Sequence, residues 1–218
     1  MSKRRKRPSR GPKPLRRAAE AINLRPTHFA KGTEMALIVL GLVLWTWPHL
    51  MSEYTPGLRA GLSEKKARPL VAIIALLAIV LMVIGYRGAD YIPVYDPPAG
   101  ARHATYLLMV LAVAAMGLGH SKSRLKRWIR HPMFTGAILW GTAHLLVRGD
   151  LASVLLFGGM ILWAVAGWVV TNARHPEYSP PTGGSMAGDL RLAVITLVLF
   201  VVIVLIHGWL GPQPFQIS

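Results

Sequence analysis

The sequence predicts an all-α fold, a polytopic membrane helical bundle with five or six apolar segments. Three observations carry that expectation. Over half of the residues (53%) are apolar and only 16% are charged, with a mean hydropathy of +0.42, unlike a soluble domain. The formal net charge is nonetheless +16, so the charges must be gathered outside the apolar stretches. Six runs free of Asp, Glu, Lys and Arg recur along the chain, each about the 17 to 25 residues that a helix needs to cross a bilayer. Any crossing must be helical, because lipid satisfies no backbone polar group.

Taken in order, residues 1–34 form a basic tail with eleven Lys or Arg against two Glu. It has almost no apolar surface to bury and reads as disordered. No hydrophobic run follows its first charges and no small-residue cleavage site precedes Met35, so it is not a signal peptide. Its expected partner is anionic lipid headgroups. No aromatic residues interleave the basic cluster, so nucleic acid is not expected.

The apolar runs are Met35 to Ser52, Pro69 to Tyr86, Ala104 to Ser121, His131 to Val147, Leu151 to Ala173 and Leu192 onward. Connectors such as "RGADYIPVYDPPAGAR" and "RHPEYSPPTGGSMAGD" collect the Pro, Gly and charge of turns. This divides the chain into the tail, a membrane domain over 35–175, a loop over 176–191 and an additional span over 192–218. Trp45, Trp47, Tyr86, Trp128 and Trp209 lie near run ends, where interfacial anchors belong. Asp150 is placed to cap the fifth helix. Cysteine is absent, which removes disulfides, thiolate metal sites and covalent c-type haem attachment.

Charge gives the orientation little leverage. With the tail cytoplasmic and six crossings, 14 basic residues lie inside and 11 outside. If the third segment is re-entrant, the split becomes 20 against 5, as the positive-inside tendency prefers. The tail and "KSRLKRWIR" would then share a side.

The chemistry rests with histidine. His49, His103, His120, His131, His144 and His207 lie within or beside apolar runs, where ionisable groups usually mark function. A neutral imidazole bonded between helices is the structural alternative. Two imidazoles from different helices can clamp haem b without covalent attachment. The spans lack carboxylates, which argues against a hard-cation or di-iron site.

Residues 130–174, "RHPMFTGAILWGTAHLLVRGDLASVLLFGGMILWAVAGWVVTNAR", resemble the signature region of the NnrU family. "LGLVLWTWPHL" (40–50), "LRAGL" (58–62), "GYRGAD" (85–90) and "RHATYLLM" (102–109) agree, so the similarity covers about residues 35 to 175. The family includes membrane proteins associated with denitrification genes, and a plant relative, 15-cis-zeta-carotene isomerase, is a haem b enzyme. The resemblance implies haem b held by His49 and His144. The relative's cysteine beside the second histidine falls on Gly141, so ligand exchange by that thiol is unavailable here. Arg87 and Arg130 would pair with the propionates if they share a mouth. The implied role is redox-linked or isomerase-like on a lipophilic substrate, in a bacterial inner membrane with a cytoplasmic tail.

Helix geometry bears on that pair. Each histidine lies roughly 8 Å beyond its run midpoint, so antiparallel helices would separate them by about 16 Å in depth. Parallel helices, from five crossings, would bring them level. With six crossings the depth-matched pairs are His49 with His120 or His131, and His144 with His103. Two other readings stay open. "RHPMFTG" is similar to the cofactor motif of membrane methyltransferases, in which Arg130 and His131 would meet S-adenosylmethionine and Pro132 would open the helix. A non-catalytic accessory subunit of a larger membrane complex is the other.

Overall fold

The structure, a computed structural model, describes residues 32–50, 57, 61 and 63–210. Those residues form six helices: α1 Thr33–His49, α2 Glu64–Gly88, α3 Arg102–Leu118, α4 Pro132–Leu145, α5 Leu151–Arg174 and α6 Met186–Leu210. A 3₁₀ turn, Arg124–Arg127, precedes α4. A π-helical turn, Val154–Gly158, lies inside α5. No strand occurs among the described residues. Nearly all of the tail lies outside them.

Among the described residues three helices are long and apolar enough to cross a membrane: Ala67–Gly88 within α2, Leu151–Arg174 and Met186–Leu210. The six helices fall on the six apolar runs, and among the described residues three of them have the length of a full crossing. α1, α3 and α4 have 17, 17 and 14 residues; at 1.5 Å per residue, 14 residues reach roughly 21 Å, short of a 30 Å hydrocarbon core. The last helix begins at Met186, six residues before the charge-free run. Its charged first turn is stabilised by Asp189, which pairs with Arg124 at 2.7 Å.

Small residues set the packing. A Cβ on Gly85 of α2 would lie 2.5 Å from the Glu34 carbonyl oxygen, and one on Gly41 of α1 would lie 2.8 Å from that of Ala78. Numbers rise on α1 as they fall on α2, so these helices are antiparallel. α3 and α4 are antiparallel too: Thr105 Oγ1 donates to the Ala143 carbonyl at 3.1 Å, while Gly136 meets Ala112 and Met116.

α5 lies between the pairs. Along α1, Leu42 meets Gly159 and Trp45 meets Trp163, so α1 and α5 run parallel. Along α4, Phe134 meets Gly167 and Gly141 meets the Phe157 carbonyl, so α4 and α5 run antiparallel. The first and fourth helices are consequently antiparallel. The parallel arrangement favoured by the basic-residue counts is absent: α1 runs with α5, and α4 runs against it.

One end of the bundle is stitched by the 92–95 segment. Val94 N–H donates to the Gly149 carbonyl at 2.8 Å and Leu151 N–H to that of Ile92 at 2.8 Å. The Tyr95 hydroxyl lies between the carbonyl oxygens of Leu145 and Arg148, 2.8 Å from the latter. At the same end Asp150 caps α5 as expected: its carboxylate accepts from Ser153 N–H at 3.0 Å and Ser153 Oγ at 2.7 Å.

Gly85→Ala should destabilise the α1–α2 hairpin by about 1–3 kcal/mol, since the close helix approach cannot admit the methyl group. Thermal melting in detergent measures it. Tyr95→Phe should cost about 1 kcal/mol by freeing the carbonyls at the end of α4. Partial burial and then the Asp150 carboxylate hold the Tyr95 phenol above its ordinary value of 10.0. Its folded pKa therefore exceeds the unfolded one, and its contribution is complete below pH 10 and fades as pH rises through the folded value. The Phe variant should lack that part of the alkaline loss in a melting series above pH 9.

Candidate functional site

Two of the histidines share a local construction. α1 carries Trp45-x-x-x-His49 and α4 carries Trp140-x-x-x-His144, a spacing that sets both side chains on one helix face. Each imidazole turns back on its own helix. His49 Nδ1 bonds the Trp45 carbonyl at 2.7 Å, and His144 Nδ1 bonds that of Trp140 at 2.9 Å. A carbonyl only accepts, so each Nδ1 carries the proton, and in the neutral ring each Nε2 offers its lone pair. Metal-ligating histidines are commonly held this way, the second-nitrogen bond fixing the tautomer and raising basicity.

The surrounding rings come from α1, α4 and α5. His49 stacks on Trp45 with centroids 4.1 Å apart and meets the edge of Trp163 at 5.8 Å. Phe134 closes on Trp163 at 5.5 Å. Leu50, Ala137, Trp163 and Ala164 form the buried cluster at this point, with Trp45, Phe134, Ile138 and Met160 packed against it. His144 stacks on Phe157 at 4.3 Å and lies 4.9 Å from Trp140.

Phe157 and Trp163 are six residues apart on α5, about 9 Å along its axis. The histidines thus sit at different depths, with landmarks closer than the roughly 16 Å expected for antiparallel helices. His49 is exposed at the end of α1, while His144 is half-buried.

The indole Nε1 atoms of Trp45 and Trp163 are buried and have no hydrogen-bond partner. Such donors are rare in native interiors, and each costs roughly 1–3 kcal/mol if nothing accepts from it. Two orphaned donors beside an imidazole with a free Nε2 suit an apolar group that carries acceptor oxygens and ligand-accepting iron. Imidazole nitrogen and indole N–H are donor types that a haem's iron and its propionate oxygens accept. Among the described residues no group of three or more His, Asp or Glu gathers to hold a metal ion.

The remaining sequence-identified residues have other places. His131 Nε2–H donates to Asn172 Oδ1 at 2.8 Å, the opposite tautomer from His49 and His144. It packs on Phe134 and Trp168, which puts it at the same end as His49, as the six-crossing alternative required. Arg130 donates to the His175 carbonyl and lies over the Tyr178 ring at 4.7 Å. Arg130 and His131 thereby tie the start of α4 to the end of α5. Arg87 Nη1 donates to the Leu210 carbonyl at 3.1 Å, at the opposite end. Arg87 and Arg130 do not share a mouth, and the expected common propionate clamp is not formed. His103 and His120 are exposed on α3 and just beyond it.

Two expected anchors turn inward. Trp45 joins the ring cluster, and Tyr86 hydrogen-bonds Ser153 Oγ at 2.9 Å. Trp128 and Trp209, 73% and 84% exposed, keep the outward placement of anchors. Sequence reasoning also left Phe134, Phe157 and Trp163 out of the site; the repeated Trp-x-x-x-His spacing was the available signal. Gly141 lies where a Cβ would be 3.0 Å from the Phe157 carbonyl oxygen and 2.7 Å from Ile161 Cγ1. Close packing on α5 selects glycine there.

Nitrogen-15 spectra of the histidine-labelled protein should show protonated Nδ1 and bare Nε2 for His49 and His144, and protonated Nε2 for His131. Equal tautomer populations at all three would contradict the hydrogen bonds.

A family profile described as "NnrU protein" matches residues 37–214. The match runs through the final helix, beyond the region that carried the resemblance in the sequence. No curated protein matches the chain, and no solved structure does so.

Proposed function

Starting from the fact that the chain belongs to the NnrU family, we propose that it binds one haem b through His49 and His144. The observation that carries this reading is the paired Trp-x-x-x-His construction, in which both imidazoles keep Nε2 available while Nδ1–H is held by a backbone carbonyl. Bound haem would supply one-electron redox chemistry. The Trp45 and Trp140 carbonyls orient the two rings and increase their basicity. Trp45 and Trp163 pack against the His49 ring, and Trp140 and Phe157 shield the half-buried His144. The orphaned Trp45 and Trp163 indoles donate to acceptor oxygens entering the cluster. The role is redox-linked or isomerase-like on a lipophilic substrate, in a bacterial inner membrane with the basic tail cytoplasmic.

This reading is preferred to S-adenosylmethionine binding at Arg130 and His131, whose polar groups already join α4 to α5. Absorption spectra of the detergent-purified protein, oxidised and dithionite-reduced, test it. Sharp low-spin b-type bands are expected, lost in His49→Ala and in His144→Ala. Bands lost only in His49→Ala would transfer the second ligand to His131, at the same end. A featureless spectrum after expression with ample haem overturns the proposal and favours an accessory subunit.

A further inference from the structure

A second site lies outside the aromatic cluster, where α3 ends and α6 begins. A cavity of about 420 Å³ is walled by segment 121–126 on one side and segment 181–185 on the other, within the volume range of small-ligand sites. The walls are pinned together. Ser185 N–H donates to the Lys122 carbonyl at 3.0 Å, and a Cβ on Gly184 would meet the Arg124 backbone nitrogen at 2.8 Å. Gly183 and Gly184 both have left-handed backbone, at φ +97° and +89°, which lets the connector fold tightly over the cavity.

The lining is hydroxylated and cationic. Lys122 and Lys126 contribute the charge, and Ser121 and Thr182 contribute hydroxyls. The nearby carboxylate is occupied: Asp189 accepts from Ser123 Oγ at 2.7 Å, Arg124 N–H at 2.8 Å and Arg124 Nε at 2.7 Å. Lys126 Nζ donates once, to the Gly119 carbonyl at 2.6 Å, which leaves donor capacity on a three-proton ammonium. Neither lysine forms an ion pair among the described residues. Two lysines lining one cavity, with no carboxylate among its lining residues, call for an anion.

Position identifies the source. The cavity adjoins the first turn of a membrane-length helix, α6. Leu125 and Trp128 beside it are 51% and 73% exposed, and Arg127 lies over the Trp128 ring at 5.1 Å. That mixture of apolar, indole and basic groups suits the headgroup layer. We propose that the cavity binds the phosphate of an anionic phospholipid headgroup, with Lys122 and Lys126 as its cationic ligands. The site is independent of the haem reading and is separate from the basic tail.

Native mass spectrometry of the full chain, with phosphatidylglycerol or phosphatidylcholine added to detergent, provides the test. Retention of phosphatidylglycerol should exceed that of phosphatidylcholine and fall about fivefold per lysine removed in Lys122→Gln and Lys126→Gln. The Lys122→Arg, Lys126→Arg double variant should retain it. A tail variant with the same charge change, Lys3→Gln with Lys6→Gln, should leave this high-affinity lipid in place. A second arm titrates inorganic phosphate without lipid. Saturable phosphate binding that needs the two cavity lysines, with no lipid preference, would keep the anion site but reassign its source to free phosphate. If cavity and tail variants lose lipid equally and neither changes phosphate binding, the proposal is wrong.

Discussion

The arrangement depends on the anchoring of α5 at its first turn. Asp150 is buried, with 7% exposure, and both carboxylate oxygens are engaged by Ser153. Ser153, fully buried, passes the connection to Tyr86 on α2. The residues just before Asp150 pair with the 92–95 segment. One capped helix start therefore fixes α2, the α2–α3 connector and the end of α4 together. A buried carboxylate without those partners would be strongly unfavourable, so the network has little freedom to slide. Its rigidity sets where Phe157 and Trp163 emerge, and those rings are the seats of the two histidines.

The π-helical turn immediately follows this anchor. Such turns hold an extra residue in the helical winding and often occur at functional positions. Here the turn contains Phe157, whose ring meets Tyr86 on one side and Trp140 and His144 on another. Contact with two helices is obtained from one side chain, and the winding of α5 then returns to α-helix for Trp163.

Much of this was legible because hydrophobic runs and turn chemistry are local properties. The six helices correspond to the six charge-free runs, Pro132 opens α4, and Asp150 caps α5. Helix direction was less legible, because basic residues are divided almost evenly in the alternating arrangement and the charge preference pointed elsewhere. The start of α6 was hidden by Asp189, whose stabilising partner Arg124 lies 65 positions away. Trp45 and Tyr86 were misplaced because an amphipathic ring at a run's end serves equally as an interfacial anchor or as a buried donor. At the site, the histidines were identifiable from type and position. Their tautomers and the aromatic seats supplied by α5 are tertiary facts that no single run contains.

The opposed senses of α1 and α4 have a consequence for access. The same four-residue spacing is traversed upward in one helix and downward in the other, so the two Trp–His units are related approximately as an inverted pair about α5. The two imidazoles therefore lie toward opposite ends of the bundle: His49 is exposed at the end of α1, while His144 is half-buried near the end of α4.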